Sequence, residues 1–85
     1  MASEQVIQTR IKKHFESQGF FVIKLIKTSV NGIPDLLVIK QNRVKFVEVK
    51  KPGGVLSELQ KYRIRELRKQ GIDAIAVDGI DSIIY

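Results

Sequence analysis

The sequence predicts an α/β fold: a mixed central sheet flanked by helices, in the order α-β-β-β-α-β. Three observations predict it. Two stretches, each opened by a serine that can cap a helix, carry apolar residues near helical spacing. The runs between and after them are short and rich in β-branched and aromatic residues, as strands are. A tight reversal joins the second run to the third, whereas a helix separates the third from the fourth. The first connection makes an antiparallel hairpin and the second a crossover to a parallel strand, so the sheet is mixed.

In chain order, Ser3 caps a helix whose apolar positions are Val6, Ile7, Ile11 and Phe15, and Gly19 ends it in a left-handed conformation. Phe20 to Ile26 reads as the first strand, and Lys27 to Gly32 as a loop by its turn chemistry. Pro34 fits the first position of a strand, and Leu36 to Ile39 is a continuous apolar run suited to burial on both faces. Gln41-Asn42-Arg43 makes the reversal, and Val44 to Lys50 is the third strand. Pro52-Gly53-Gly54 breaks the chain. Ser57-Glu58-Leu59-Gln60 then fits a capping box that starts a helix running through Tyr62, Ile64 and Leu67 to Gln70, with Gly71 as its stop. Ile72 to Val77 reads as the fourth strand and Asp78-Gly79 as a turn. The apolar tail from Ile80 to Tyr85 either covers the core or joins a partner, and its pattern does not decide between them.

With 85 residues the chain is expected to form one domain, 1–85, around one small core. The absence of cysteine excludes disulfides and cysteine-based zinc sites. The N-terminal residues do not have the form of a signal peptide, and no apolar segment approaches the ~20 residues that span a bilayer. A soluble, cytoplasmic protein without a membrane partner is expected. A net charge of +6 favours polyanionic partners, nucleic acid first among them. So small a core also leaves pairing with a second copy open.

Three charges stand among the strands. Asp35 opens the second, and Glu48 and Lys50 lie near the end of the third, two residues apart. Side chains alternate along a strand, so Glu48 and Lys50 share a face with Val44 and Phe46 and extend an apolar row. A charge in such a row is costly unless paired or bound to a metal. Two carboxylates from neighbouring strands make a hard-oxygen site of the kind Mg²⁺ or Mn²⁺ prefers, with the Val49 carbonyl as a further ligand. Lys50 beside them can orient a water or offset charge developing in a transition state. An isolated Glu-x-Lys is most often a surface salt bridge. The Pro-Asp strand start, the hairpin and the Glu-Val-Lys ending together favour a site. Glu4 reads from the residues alone as a first-turn acid that complements the helix dipole, and Gln60 as a capping partner. His14, the sole histidine, gives no support for a histidine-based centre.

Gly32-Ile33-Pro34-Asp35 followed by Glu48-Val49-Lys50 resembles the signature of the PD-(D/E)xK nuclease superfamily. More narrowly, nearly the whole chain resembles the VRR-NUC domain, including its stand-alone forms in phages and prophages. The resemblance extends to the early glutamate and the Leu-Ser-Glu-Leu-Gln helix start. It implies a restriction-endonuclease-like core and a Mg²⁺- or Mn²⁺-dependent endonuclease hydrolysing DNA phosphodiesters. Asp35 and Glu48 would bind the metal, Lys50 would be the catalytic lysine, Glu4 would complete the metal environment, and Gln60 would stand close to substrate. It also implies a homodimer acting on Holliday-junction or otherwise branched DNA in a bacterial or phage-infected cell. Lys24, Lys27, Lys51, Lys61 and Arg63 are candidate phosphate contacts, although each is singly more often just solvated. The alternatives are a nuclease of the same superfamily with nicking or sequence-preferring activity, a non-catalytic DNA-binding module on the same fold, and a structural module with ordinary ion pairs.

Overall fold

The computed structural model describes residues 3–85; the part of the signal-peptide and domain readings that falls on the first two residues lies outside it. Helix α1 (Glu4–Ser17) begins where the Ser3 side chain accepts a hydrogen bond from the Val6 N–H at 3.2 Å. It ends ahead of Gly19, whose φ of +90° lies in the left-handed region that glycine enters without cost. Strands β1 (Phe21–Lys24), β2 (Leu36–Lys40) and β3 (Arg43–Val49) follow, then helix α2 (Glu58–Lys69) and strands β4 (Asp73–Gly79) and β5 (Ser82–Ile83). The five strands form one sheet in sequence order, β1-β2-β3-β4-β5, with only β3 and β4 parallel. The expected α-β-β-β-α-β arrangement is therefore present, with one further strand at its end.

The hairpin between β2 and β3 turns on two residues, Gln41 and Asn42, with φ of 48° and 67°. Two consecutive left-handed residues characterise the type I′ turn, whose twist matches that of the flanking strands. At the start of α2, Gln60 N–H donates to Ser57 Oγ at 3.1 Å and the Ser57 N–H donates to Gln60 Oε1 at 2.9 Å, so the capping box is complete.

Several boundaries shift by one residue, such as β3 at Arg43–Val49 rather than Val44–Lys50, and some shift further. Strand β1 stops at Lys24 rather than Ile26, because its partner β2 begins at Leu36 and Pro34 has no N–H with which to extend the ladder. Strand β4 runs past Val77 to Gly79, because β5 folds back along it and pairs Val77 with Ile83 and Gly79 with Ser82. The turn consequently lies at Ile80–Asp81 rather than at Asp78-Gly79. Beyond β5 the backbone stays attached to β4: the Ile84 N–H donates to the Ala76 carbonyl at 2.8 Å and the Ala76 N–H to the Tyr85 carbonyl at 3.1 Å. Tyr85 packs against the core under α2, so the tail covers that face, while Ile83 and Ile84 remain exposed.

The sheet is packed on both sides. On one, Ile7 and Ile11 of α1 meet Leu36, Val38, Val47, Val49 and Val77. On the other, Ile64 of α2 meets Leu56, Ala74 and Ala76, with Phe46, Leu67 and Tyr85 at the margin. Each fully buried aliphatic side chain contributes about 1.5–3 kcal/mol through the area withdrawn from water. Alternation along β3 thus gives Val47 and Val49 to the α1 layer and Phe46 to the α2 layer. Glu48 comes with Phe46. Among the described residues no helix is long and apolar enough to cross a membrane.

Candidate active site

The β2–β3 register sets the geometry of the site. The last ladder pair at this end of the hairpin is Leu36 with Val47, so one antiparallel step further Asp35 faces Glu48. Both carboxylates therefore leave the same face of the sheet. The Asp35 side chain accepts a hydrogen bond from the Val49 N–H at 2.9 Å, while the Leu25 N–H donates to the Asp35 carbonyl at 2.8 Å. The acid is thereby tied to β1 and β3 at once. Pro34, immediately before it, is fully buried.

The Lys50 N–H donates to the Val77 carbonyl of β4 at 2.9 Å, whereas the Val49 N–H points the other way, to Asp35. The N–H and C=O of a strand residue leave on the same side. The Val49 carbonyl is therefore directed towards the Asp35 side, where β2 no longer opposes β3.

Glu48 is only 2 % exposed, and its Oε1 has no hydrogen-bond partner. Burial pushes its carboxyl up to about 9, and the neighbouring Asp35 acts in the same direction by sharing a proton and by repelling a second negative charge. Lys50 opposes the shift through its positive charge, and Glu4 adds to it. Of these charges, that of Asp35 is the nearest in the sheet, one antiparallel step beyond the last ladder pair. Glu4 is half-buried at the first position of α1, and makes no hydrogen bond or ion pair with Glu48 among the described residues.

Gln60 lies in the first turn of α2 with Oε1 engaged by the Ser57 N–H. Its capping role is realised, and its amide nitrogen is the part left for any further contact.

A comparison with protein families finds that the VRR-NUC domain matches residues 2–81. The chain belongs to the VRR-NUC domain family. A solved structure described as "VRR_NUC domain" is 33 % identical, with a TM-score of 0.82 over 93 % of this chain and 88 % of that one. A second, described as "VRR_NUC domain protein", is 24 % identical and superimposes with a TM-score of 0.76 over 95 % of this chain and 81 % of the other, a likeness of fold. No curated protein matches. Membership in the VRR-NUC family gives the chain a nuclease-type fold.

In this VRR-NUC fold the donor set fits a hard divalent cation. A buried carboxylate oxygen without a partner, a second carboxylate opposite it and a backbone carbonyl directed to the same side are all oxygen donors. The acceptor bond from Val49 leaves Asp35 a second oxygen for a cation. Among the described residues no three His, Cys, Asp or Glu side chains lie close enough together to hold a metal. The compact set is the pair Asp35 and Glu48, which leaves positions for water and phosphate, as Mg²⁺ usually retains.

The candidate phosphate contacts separate into two groups. Lys24 ends β1 opposite Leu36, Lys27 borders a hollow of about 280 Å³ that Asp35 also lines, and Lys51 follows Lys50. None of these three takes part in an ion pair among the described residues. Lys61 lies 3.7 Å from Glu58, and Arg63 lies 3.1 Å from Glu66. Further along α2, the Arg65 side chain donates to the Tyr85 hydroxyl at 2.9 Å, and Arg68 donates to the Ala74 carbonyl at 2.8 Å and stacks over the Tyr85 ring. Much of the basic face of α2 is thus occupied in holding the tail and β4. A larger cavity, about 510 Å³ between α1 and the turns at Lys51–Pro52 and Asp78–Asp81, includes neither Asp35 nor Glu48.

Sequence reasoning missed Asn31 and Gly32 as residues that seat the loop before Asp35 on α2. Their only signal was an Asn-Gly pair, which reads as ordinary turn chemistry.

Proposed function

We propose that the chain is a divalent-metal-dependent DNA endonuclease that hydrolyses phosphodiester bonds, acting as a homodimer on branched DNA such as a four-way junction. The observation that carries this reading is buried Glu48 facing half-buried Asp35, with Lys50 two residues further along the chain, in a fold of the VRR-NUC family. Asp35, Glu48 and the Val49 carbonyl would hold Mg²⁺ or Mn²⁺, with Glu4 completing the environment directly or through water. When bound, such a cation supplies Lewis-acid polarisation of the phosphoryl group and a lower pKa for an attacking water.

The remaining work belongs to the chain. The Val49 N–H orients the Asp35 carboxylate, and burial keeps bulk water from Glu48, which strengthens every charge interaction made there. Lys50 presents an ammonium on the face of Glu48, where it orients the attacking water and offsets the extra charge on the phosphoryl oxygens. Gln60 offers its amide nitrogen to substrate from the start of α2. Lys24, Lys27 and Lys51 surround this end of the sheet with positive charge and hold the DNA backbone on either side of the reacting phosphate. Support for pairing comes from apolar surface on both edge strands, where Phe21 and Ile83 are exposed.

The test is cleavage of linear duplex, flap and four-way-junction DNA with Mg²⁺, Mn²⁺ or EDTA, with oligomeric state measured by light scattering. Metal-dependent cutting of the junction by a dimer is expected. Cutting of linear duplex but not of junctions defeats the branched-DNA reading, and binding without cutting favours a non-catalytic DNA-binding module.

A further inference from the structure

Arg63 lies on α2, one turn after Gln60, and its side chain is only 21 % exposed. Its Nε–H donates to the Asn31 carbonyl at 2.8 Å, a guanidinium nitrogen donates to Glu66 Oε1 at 3.1 Å, and the group lies over the Tyr62 ring, 5.4 Å from its centre. Next to Asn31, Gly32 is seated directly on the helix. A Cβ there would stand 2.7 Å from Leu59 Cγ and 3.2 Å from Arg63 Cγ, and the φ of +83° is one that side-chain-bearing residues rarely adopt. The same loop reaches Asp35 three residues later, through half-buried Ile33 and buried Pro34.

We propose that Arg63 is a positioning residue for Asp35: it clamps the Asn31–Gly32 turn onto α2 and so fixes the chain that carries the metal-binding carboxylate. The proposal rests on the reading of Asp35 and Glu48 as a cation site. A guanidinium presents its donors in a rigid fork, and here that fork is divided between a loop carbonyl and a carboxylate on its own helix. Two of its five N–H donors are thereby committed to the protein, and the side chain is held in place by them. Glu66 also balances its charge locally, which leaves it a weak attractor of phosphate. Because Gln60 shares the helix, the clamp holds Asp35 and Gln60 in one frame.

The test uses the full chain with Arg63→Met and Arg63→Lys. Mn²⁺ binding is read by calorimetry without DNA, and four-way-junction affinity in Ca²⁺ buffer. A lysine keeps the charge that a phosphate contact needs, but it lacks the forked donors that bridge Asn31 and Glu66. Both variants are expected to weaken Mn²⁺ binding by roughly tenfold, the scale of losses when groups supporting metal ligands are removed. Junction affinity should stay within about twofold, less than the loss of a phosphate contact at moderate salt. Retained Mn²⁺ binding with junction affinity lost in Arg63→Met and restored in Arg63→Lys overturns the proposal in favour of a phosphate contact. Two variants indistinguishable from wild type overturn it as well.

If the wild-type chain itself binds no Mn²⁺, the cation-site reading fails, and hydrogen exchange still decides the clamp. Exchange of the Val49 amide, which Asp35 holds, should then quicken in Arg63→Met relative to core amides such as that of Val38. Unchanged exchange at Val49 overturns the clamp.

Discussion

The Asp35 side chain accepts a hydrogen bond of 2.9 Å from the backbone N–H of Val49, across the open end of the β2–β3 hairpin. This bond gives Asp35 a structural task beside the chemical one proposed for it, and the two are separable. Asp35→Asn retains an acceptor for the Val49 N–H, whereas Asp35→Ala leaves that partly buried donor unsatisfied, at a cost of about 1–3 kcal/mol. Urea denaturation should show a clear loss of stability for the alanine variant and little for the asparagine variant, while both lose cleavage. Equal stability of the two would mean that the bond does not hold the loop.

Glu48 makes stability depend on pH in an unusual direction. Its folded-state pKa is raised from 4.5 to about 9, so between those values the folded chain binds more protons than the unfolded one. Stability contributed by this group is present in full below pH 4.5 and is lost as pH rises towards 9. The slope is at most about 1.4 kcal/mol per pH unit for one proton. In EDTA the melting temperature should therefore fall from pH 6 to pH 9, and Glu48→Gln should flatten that fall. A wild-type melting temperature that rises over the same range contradicts the assignment.

Gly32 and Gly53 have the same sign of φ, +83° and +82°, but different surroundings. An added methyl at Gly53 meets nothing within 4 Å, whereas at Gly32 it meets Leu59 Cγ at 2.7 Å. Gly53→Ala should cost only the backbone penalty, about 1–2 kcal/mol. Gly32→Ala should cost that plus a packing penalty of about 1–3 kcal/mol. Chemical denaturation of the two variants checks the difference, and equal losses would place Gly32 away from α2.

Lys24, Lys27 and Lys51 should act through phosphate alone. Alanine at any one of them should weaken junction binding and lower the slope of log affinity against log salt by about 1, as the loss of one phosphate contact requires. Arg65→Ala, by contrast, should leave the slope unchanged and loosen the tail, because its guanidinium donates to the Tyr85 hydroxyl. Salt titrations of binding decide between these behaviours.

Much of this site was legible because it is local. The caps at Ser3 and Ser57, the hairpin and the alternation that puts Glu48 on a buried face each follow from a few adjacent residues. The hairpin then fixes that Asp35 and Glu48 meet. What was not legible depends on contacts between residues distant in sequence. The arginines of α2 look like a solvated or phosphate-tracking row, yet Arg63, Arg65 and Arg68 reach Asn31, Tyr85 and Ala74. The length of β4 depended on a return strand too short to show a period. The Gln41–Asn42 turn lacks the glycine that commonly marks its type, so its two left-handed residues were hidden as well.

The central claim, that Asp35, Glu48 and Lys50 form a metal-dependent phosphodiesterase centre, is tested most directly by junction cleavage in Mn²⁺ and in EDTA, with wild type beside Lys50→Ala and Glu48→Gln. Wild type should cut only with metal. Both variants should fold and bind the junction yet cut at least about a hundredfold more slowly, the scale of a lost transition-state charge contact. Cutting in EDTA, or variants as fast as wild type, would contradict it.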